Sequence, residues 1–304
     1  MNTILKYLLK ALLLPWSLLP LRLHYFNAGV LAFIAGSLAR YRRDDVFINL
    51  ARAFPEKDYS EIKSICRQFY LHFADLVVET IWFGGCRNPE RLRRADIVKV
   101  LNPEDVRDLA SRHEGVMIMY SHCGNWELLG GIENYAPDLP FKEDNFCVVY
   151  KQMHSRAWDE VMRDNRFAPL KDRKNFPGYL ESRQVVRHVF SHRGEKIYYN
   201  FNTDQRPYES GSGDVLVRFL GQEVQTMSAA AALAHKFGMP VCYLGMPVLG
   251  RGHYGLKYVT IAEDASQMSV QQIMDRYYQL LEEDIRLQPF NYLWTHRRWP
   301  GWRI

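Results

Sequence analysis

The sequence predicts an α/β fold in which a mixed central sheet is flanked by helices, with an apolar membrane-anchoring helix at the N-terminus. Short apolar runs typical of buried strands alternate along the chain with segments whose apolar residues recur at helical spacing. Hydrophobic residues make up 47% of the 304 positions and charged residues 24%, so the chain can bury a full core.

The N-terminal segment, residues 1–43, is apolar and carries six Lys/Arg but no Asp or Glu. Residues 4–23 have roughly the length that spans a bilayer, whereas the second apolar stretch, 28–39, is too short. We expect these residues to anchor the chain to a membrane, either by spanning it or by lying in its interface. The basic residues at 40–43 would then hold the following domain on the cytoplasmic side. A buried helical hairpin is the alternative; no convincing cleavage site supports a secretory signal peptide. Residues 44–304 are predicted to form one α/β domain.

The rest of the chain is nearly neutral, with 33 Lys/Arg and 34 Asp/Glu after residue 43. This balance argues against nucleic acid as a partner. Neither a GxGxxG nor a P-loop motif is present, so no nucleotide cofactor is expected. The five cysteines are scattered without CxxC or metal-type spacing, which is typical of reduced thiols in a cytoplasmic compartment.

The predicted elements follow the hydrophobic periodicity along the chain. The longest early helix is supported by Ile62, Ile65, Phe69 and Phe73 at near-helical spacing, and Pro55 separates it from the helix before it. Helices are predicted over residues 44–54, 58–83, 103–112, 126–135, 155–166, 179–191, 226–237 and 270–287, and strands over 115–120, 146–150, 196–201, 215–219, 241–246 and 254–261.

A candidate site follows the first apolar strand. His122 lies in the turn after that strand, and Glu127 lies five residues later, inside the next predicted helix. On one helix the two side chains would be about 140° apart, but a turn that contains Gly124, with Asn125 as helix N-cap, would let them meet. A histidine whose far ring nitrogen is bonded to a carboxylate can act as a general base near neutral pH. The spacing alone equally fits a structural histidine.

Four ordered segments resemble a known family. His-Cys-Gly-Asn-Trp-Glu at 122–127 resembles the histidine–four residues–acid motif of the lysophospholipid acyltransferase superfamily, especially its lipid A secondary (late) acyltransferases. Asn-Thr-Asp-Gln at 202–205, the apolar segment at 215–221 with its following threonine, and Tyr-Leu-Trp-Thr-His-Arg-Arg at 292–298 resemble further segments of that branch. Mycobacterial mannoside acyltransferases share much of the pattern.

The resemblance implies a glycerolipid-acyltransferase-like fold and an inner-membrane enzyme with its catalytic face toward the cytoplasm. It implies transfer of a fatty acyl group from an acyl carrier protein thioester to the 3-hydroxyl of an acyl chain on a Kdo-bearing lipid A precursor. No cofactor or metal is expected. His122 would be the base, Glu127 its partner, and Asp204 and Gln205 further site residues.

Other candidate substrate-binding residues are Asn125 within the motif, Lys151, Arg163 and Arg166. Lys151 stands where several lipid A enzymes carry arginine. The lysine keeps the positive charge but cannot make the bidentate contacts of a guanidinium group. Arg163 or Arg166 could stabilise an oxyanion or bind a lipid phosphate, although exposed helix arginines usually do neither. Cys123 is interpreted as structural rather than nucleophilic.

Three rival functions remain open at the level of sequence. The acceptor could be another membrane lipid or a glycolipid. A metal-dependent lipid hydrolase could use His122 and Glu127 with Asp204 or His296, although no HExxH motif appears. A membrane-bound scaffold would explain the N-terminus but would give the histidine no role.

Overall fold

The computed structural model describes residues 2–171, 178–207 and 215–299. Its α-helices are α1 (Asn2–Ser17), α2 (Leu21–Phe33), α3 (Arg43–Ala53), α4 (Tyr59–Phe83), α5 (Pro89–Ala95), α6 (Pro103–Arg112), α7 (Ile132–Tyr135), α8 (Arg156–Arg166), α9 (Val185–Ser191), α10 (Ala229–Phe237) and α11 (Val270–Leu287). Its strands are β1 (Val98–Val100), β2 (Val116–Tyr120), β3 (Phe146–Tyr150), β4 (Tyr179–Glu181), β5 (Tyr198–Asn202), β6 (Leu216–Phe219), β7 (Gln222–Gln225), β8 (Val241–Gly245), β9 (Val248–Gly250) and β10 (His253–Ala262). A π-helical turn (Ile34–Leu38) and 3-10 helices (Trp126–Gly131 and Ala265–Gln267) complete the set.

The main sheet has the strand order β1-β10-β8-β2-β5-β3-β4, and β9 pairs with β10. The strands from β8 through β4 pair in parallel, whereas β10 is antiparallel to β8. A separate antiparallel hairpin is formed by β6 and β7. The prediction of a mixed α/β sheet flanked by helices is therefore confirmed.

Apolar cores cover both faces of this sheet. Along β2, Met117 and Met119 belong to one buried cluster, while Val116 and Ile118 belong to the other. This alternation follows from the two-residue repeat of a strand. Because both faces are covered, central strands have the near-continuous apolar sequences that made them recognisable.

Several local predictions were wrong. The helix expected over 179–191 begins only at Val185, because residues 179–181 form the strand β4 beside β3. The helix expected over 126–135 is a 3-10 helix followed by one short α-helical turn. Short elements that were not predicted are α5, β1, β7 and β9.

The N-terminal helices form a bent pair that packs on the rest of the chain. Ala28 of α2 lies in a small buried cluster with Ala74 and Val78 of α4. No single helix among the described residues is long and apolar enough to cross a membrane, but the segments Ile4–Ser17 and Leu21–Leu38, bent by 115°, meet length and composition criteria together. A membrane-anchoring helix is thus not confirmed, and the division at residue 43 stays a prediction.

Candidate active site

The candidate site lies where parallel strands β2 and β5 end side by side. Tyr120, the last residue of β2, pairs with Asn202, the last residue of β5. Two residues beyond each strand end come His122 and Asp204, so the sheet register brings these two side chains together. Asp204 therefore lies at the same edge of the sheet as His122.

Asp204, rather than Glu127, is the carboxylate bonded to the histidine. Nδ1 of His122 lies 2.8 Å from Oδ1 of Asp204, and the Asp204 residue is only 1% exposed. Burial by itself would raise the pKa of Asp204, but the adjacent His122 ring outweighs it and holds this pKa below its ordinary value. A buried carboxylate at this nitrogen fixes the tautomer with the proton on Nδ1.

The second ring nitrogen of His122 faces amide side chains. With the proton on Nδ1, Nε2 carries the lone pair, and the amide nitrogens of Asn202 and Gln205 each lie 3.1 Å from it. Trp126 packs edge-on against the imidazole with ring centroids 4.6 Å apart. The imidazole is thus positioned on both nitrogens and on one face, with Nε2 as its basic atom.

Glu127 makes a different contact from the one predicted. Arg166, at the end of α8, donates from Nε and Nη2 to its two carboxylate oxygens, each at 2.6 Å. Burial would raise the pKa of Glu127, but the Arg166 guanidinium, and to a smaller extent His122, lower it overall. The predicted hydrogen bond to His122 was wrong because a bidentate arginine 39 residues away occupies the carboxylate.

The turn between β2 and the 3-10 helix depends on close packing. Gly124 has a φ of +63°, and a Cβ there would collide with the side chain of Met246. The Gly124 amide donates to Oδ1 of Asn291 at 2.7 Å, and Cys123 forms an isolated antiparallel bridge with Tyr292. A segment near the C-terminal end of the described chain therefore holds the catalytic turn in place.

The other sequence candidates occupy different environments. Gln205 contacts the His122 ring, whereas Asn125 is 1% exposed and donates from Nδ2 to Glu79 at 2.8 Å. Lys151 and Arg163 are exposed, after β3 and on α8 respectively. Their binding roles stay predictions.

Two residues that sequence reasoning missed lie at the site. Asn202 opens the recognised Asn-Thr-Asp-Gln segment but was not named as a site residue, because it looks like an ordinary strand end. Glu79 lies near the C-terminal end of a long helix, and nothing in the local sequence indicates that it is buried and bonded to Asn125. Cys123 is fully buried, and burial raises the pKa of its thiol well above the ordinary value.

A cavity of about 990 Å³ opens beside the 3-10 helix that carries Trp126 and Glu127. Its walls are largely apolar and come from α1, α4 and α8, with Leu14, Val77 and Met162 as examples. Lys10 and Asp164 line it and form an ion pair, and Lys6 pairs with Glu160 at 2.6 Å; both pairs join α1 to α8. Its volume is at the upper end of the about 300–1,000 Å³ usual for small-molecule pockets. Among the described residues no group of three or more His, Cys, Asp or Glu side chains is arranged to hold a metal ion.

A histidine bonded to a buried carboxylate, at the strand ends of an α/β sheet and beside an apolar cavity, is an arrangement typical of group-transfer enzymes and hydrolases that act on apolar substrates. A protein-family comparison specifies the class further. The model for bacterial lipid A biosynthesis acyltransferases matches residues 1–300, and the chain belongs to this family. A search among curated proteins gave no match.

Proposed function

We propose that this protein transfers a fatty acyl group from an acyl carrier protein thioester to the 3-hydroxyl of an acyl chain on a Kdo-lipid A precursor. Membership of the lipid A biosynthesis acyltransferase family supports the lipid A precursor as acceptor. The observation that carries the chemistry is the buried 2.8 Å contact between Asp204 and Nδ1 of His122. It leaves Nε2 as the one basic atom of the ring.

In this mechanism Nε2 of His122 removes the proton from the acceptor hydroxyl as the oxygen attacks the thioester carbonyl. The C–O bond forms, the carbonyl electrons move to oxygen, and the imidazolium is stabilised by the Asp204 carboxylate. When the tetrahedral intermediate collapses, the C–S bond breaks and the leaving sulfur takes the proton from Nε2. No enzyme nucleophile is required, which agrees with a buried Cys123 thiol of raised pKa.

Glu127 and Arg166 serve this mechanism as a fixed ion pair next to the reacting centre. The electrostatic effect of Glu127 on His122 favours the imidazolium, although Arg166 offsets much of the charge. Arg166 stays protonated, and guanidinium N–H groups not bonded to Glu127 can donate to the oxyanion. Arg166 thus keeps the expected role of oxyanion donor, whereas Glu127 acts through Arg166 instead of bonding to His122.

The cavity supports a long acyl chain as the transferred group. Its lining includes Trp126, which packs on the His122 ring, so an acyl chain lying there can bring its carbonyl carbon near His122. Burial of methylene groups supplies about 0.8 kcal/mol each, which favours long over short donors. The donor is expected to arrive on acyl carrier protein.

We also propose that the α1–α2 pair contacts the inner membrane, with the catalytic domain on its cytoplasmic side. Both helices expose large apolar side chains, including Tyr7 at 64% and Phe26 at 74%. Such a surface, next to the basic residues 40–43, suits an anionic lipid bilayer. Whether the pair enters as a bent span or lies in the interface does not alter the reaction.

The test is an assay with purified protein in membranes, acyl-acyl carrier proteins of several chain lengths and a Kdo-lipid A precursor. The product should gain the mass of one acyl group, and His122→Ala should abolish the gain. His113→Ala is the matched control, because His113 is a surface histidine paired with Glu263 and precedes β2, whereas His122 follows the opposite end of that strand. Transfer at the wild-type rate by the His122 variant would exclude the mechanism.

The rival functions give different results in the same assay. Free fatty acid without acylated lipid would indicate a hydrolase, and loss of activity in chelator would indicate a metal. Acylation of other lipids but not of the lipid A precursor would retain the acyltransfer chemistry and replace the acceptor.

A further inference from the structure

Glu79 is a buried carboxyl group that the proposed reaction does not use. It lies on α4 and is 0% exposed. Its Oε2 accepts from Nδ2 of Asn125 and from the Tyr254 hydroxyl, both at 2.8 Å, and its Oε1 accepts from the Tyr25 hydroxyl at 3.0 Å. All three partners are donors, so they match an acceptor-only carboxylate.

Asn125 connects this carboxyl group to the catalytic turn. It directly precedes the 3-10 helix Trp126–Gly131, yet its side chain does not cap that helix. The carboxamide points instead to Glu79, which fixes the start of the 3-10 helix relative to α4. The next two residues are Trp126, packed on the His122 ring, and Glu127, bound by Arg166.

Placing an ionisable carboxyl group at this buried position costs free energy of desolvation. Burial raises the pKa of Glu79 to about 7, although its three hydrogen bonds oppose the rise. An apolar side chain of similar size would avoid this desolvation. Packing alone therefore does not explain the carboxyl, whereas directional bonds to Asn125 do.

The same carboxyl group also touches the N-terminal helix pair. Tyr25 belongs to α2, and Arg251 braces it by donating to the Tyr25 carbonyl oxygen at 2.9 Å while binding Asp75 at 2.8 Å. One group thus receives a hydrogen bond from the membrane-facing helix pair and another from the catalytic turn.

We infer that Glu79 is a positioning residue for acyl transfer: by holding Asn125 it sets where Trp126 and Glu127 stand relative to His122. It touches neither substrate and acts only through the turn. The inference rests on the proposed function, because it assumes that His122 is the base.

The test separates the hydrogen bond to Asn125 from the charge of the carboxyl group. Glu79→Met has a similar volume but offers no acceptor to Asn125, and we expect kcat to fall about tenfold or more, the equivalent of about 1.4 kcal/mol, with KM for donor and acceptor little changed. In Glu79→Gln the carbonyl oxygen can still accept from Asn125 and Tyr254, while the new amide group donates to the Tyr25 hydroxyl. Glu79→Gln should therefore keep kcat within about threefold of wild type.

Asp75→Asn is the matched control, since Asp75 is a buried carboxyl one turn earlier on α4 that binds Arg251 and not the turn. It should keep kcat. Should Glu79→Met not fold, Asn125→Leu, which removes the donor instead of the acceptor, is expected to show the same loss of kcat. Thermal melts accompany every rate measurement.

A wild-type kcat in Glu79→Met would overturn the inference, and so would a loss of kcat in Glu79→Gln as large as that in Glu79→Met. Thioester hydrolysis in the absence of acceptor is measured in parallel. If the wild type hydrolyses the donor but does not acylate the lipid A precursor, the proposed acceptor is wrong, while the effect of Glu79 can still be read from hydrolysis.

Discussion

Replacing Asp204 by Asn tests which carboxylate supports the catalytic histidine. The substitution conserves size at a position that is 1% exposed, but it removes the charge 2.8 Å from Nδ1 of His122. The Asn amide can also donate to Nδ1 and so favour the tautomer with its proton on Nε2, which cannot act as base. We expect a large loss of kcat in a folded protein.

The magnitude follows from the geometry. An N–O contact of 2.8 Å separates the centres of the imidazolium and carboxylate charges by about 4 Å, which at an effective dielectric constant of about 20 gives an attraction of about 4 kcal/mol. Loss of that attraction in the transition state lowers kcat about a thousandfold. Glu127, whose charge is offset by Arg166, should contribute less through its field.

The assay compares kcat for Asp204→Asn and Glu127→Gln, with a thermal melt of each. Glu127→Gln leaves the Arg166 guanidinium without its carboxylate in a largely buried site, so this variant should lose about 3 kcal/mol of stability as well as activity. The reasoning fails if Asp204→Asn stays within tenfold of wild type while Glu127→Gln loses a thousandfold in kcat with an unchanged melting temperature.

Three further predictions concern the turn, the cavity and the pH dependence of stability. Gly124→Ala should lower the free energy of unfolding by at least about 1 kcal/mol and suppress transfer, because Ala is strained at a φ of +63° and collides with Met246. A thermal melt measures the stability and the acyl-transfer assay measures the rate; wild-type values of both would contradict this prediction. Val77→Trp should narrow the cavity and shift the product mass toward shorter acyl groups; an unchanged product would show that the chain lies elsewhere. Burial lowers the pKa of His72 to about 4, so the unfolded state binds the proton first and stability is lost as pH falls from about 6.5 to 4. His72→Asn should reduce this loss by up to about 3 kcal/mol, measured by thermal melts at acid pH. Stability that falls with pH equally in variant and wild type would refute the prediction.

The central strands could be predicted from sequence because each is buried on both faces. β2, β5 and β8 are apolar or aromatic along most of their length, so their identity does not depend on register. β4 could not be predicted in this way. Its three residues, Tyr179–Glu181, are a strand only because β3 is available to pair with them, and by composition alone they continue into a helix.

The sequence predicted which residues form the candidate site but not which carboxylate bonds to His122. His122, Glu127, Asp204 and Gln205 were all recognisable as candidates, yet spacing reports only on neighbours along the chain. The contact between His122 and Asp204 spans 82 positions and follows from the β2–β5 register. Asn202 and Glu79 required the fold itself, because each becomes a site residue only through strand pairing or helix packing.

The hydrogen bond from the Gly124 amide to Asn291 spans 167 positions and has a consequence for synthesis of the protein. The ribosome releases β2 and its turn long before Asn291 and Tyr292 are available to hold it. The nascent chain can pair β2 with β5 and seat the N-terminal helices while the turn is still unsupported. The turn that carries His122 is therefore fixed in place only after nearly the whole chain has been made.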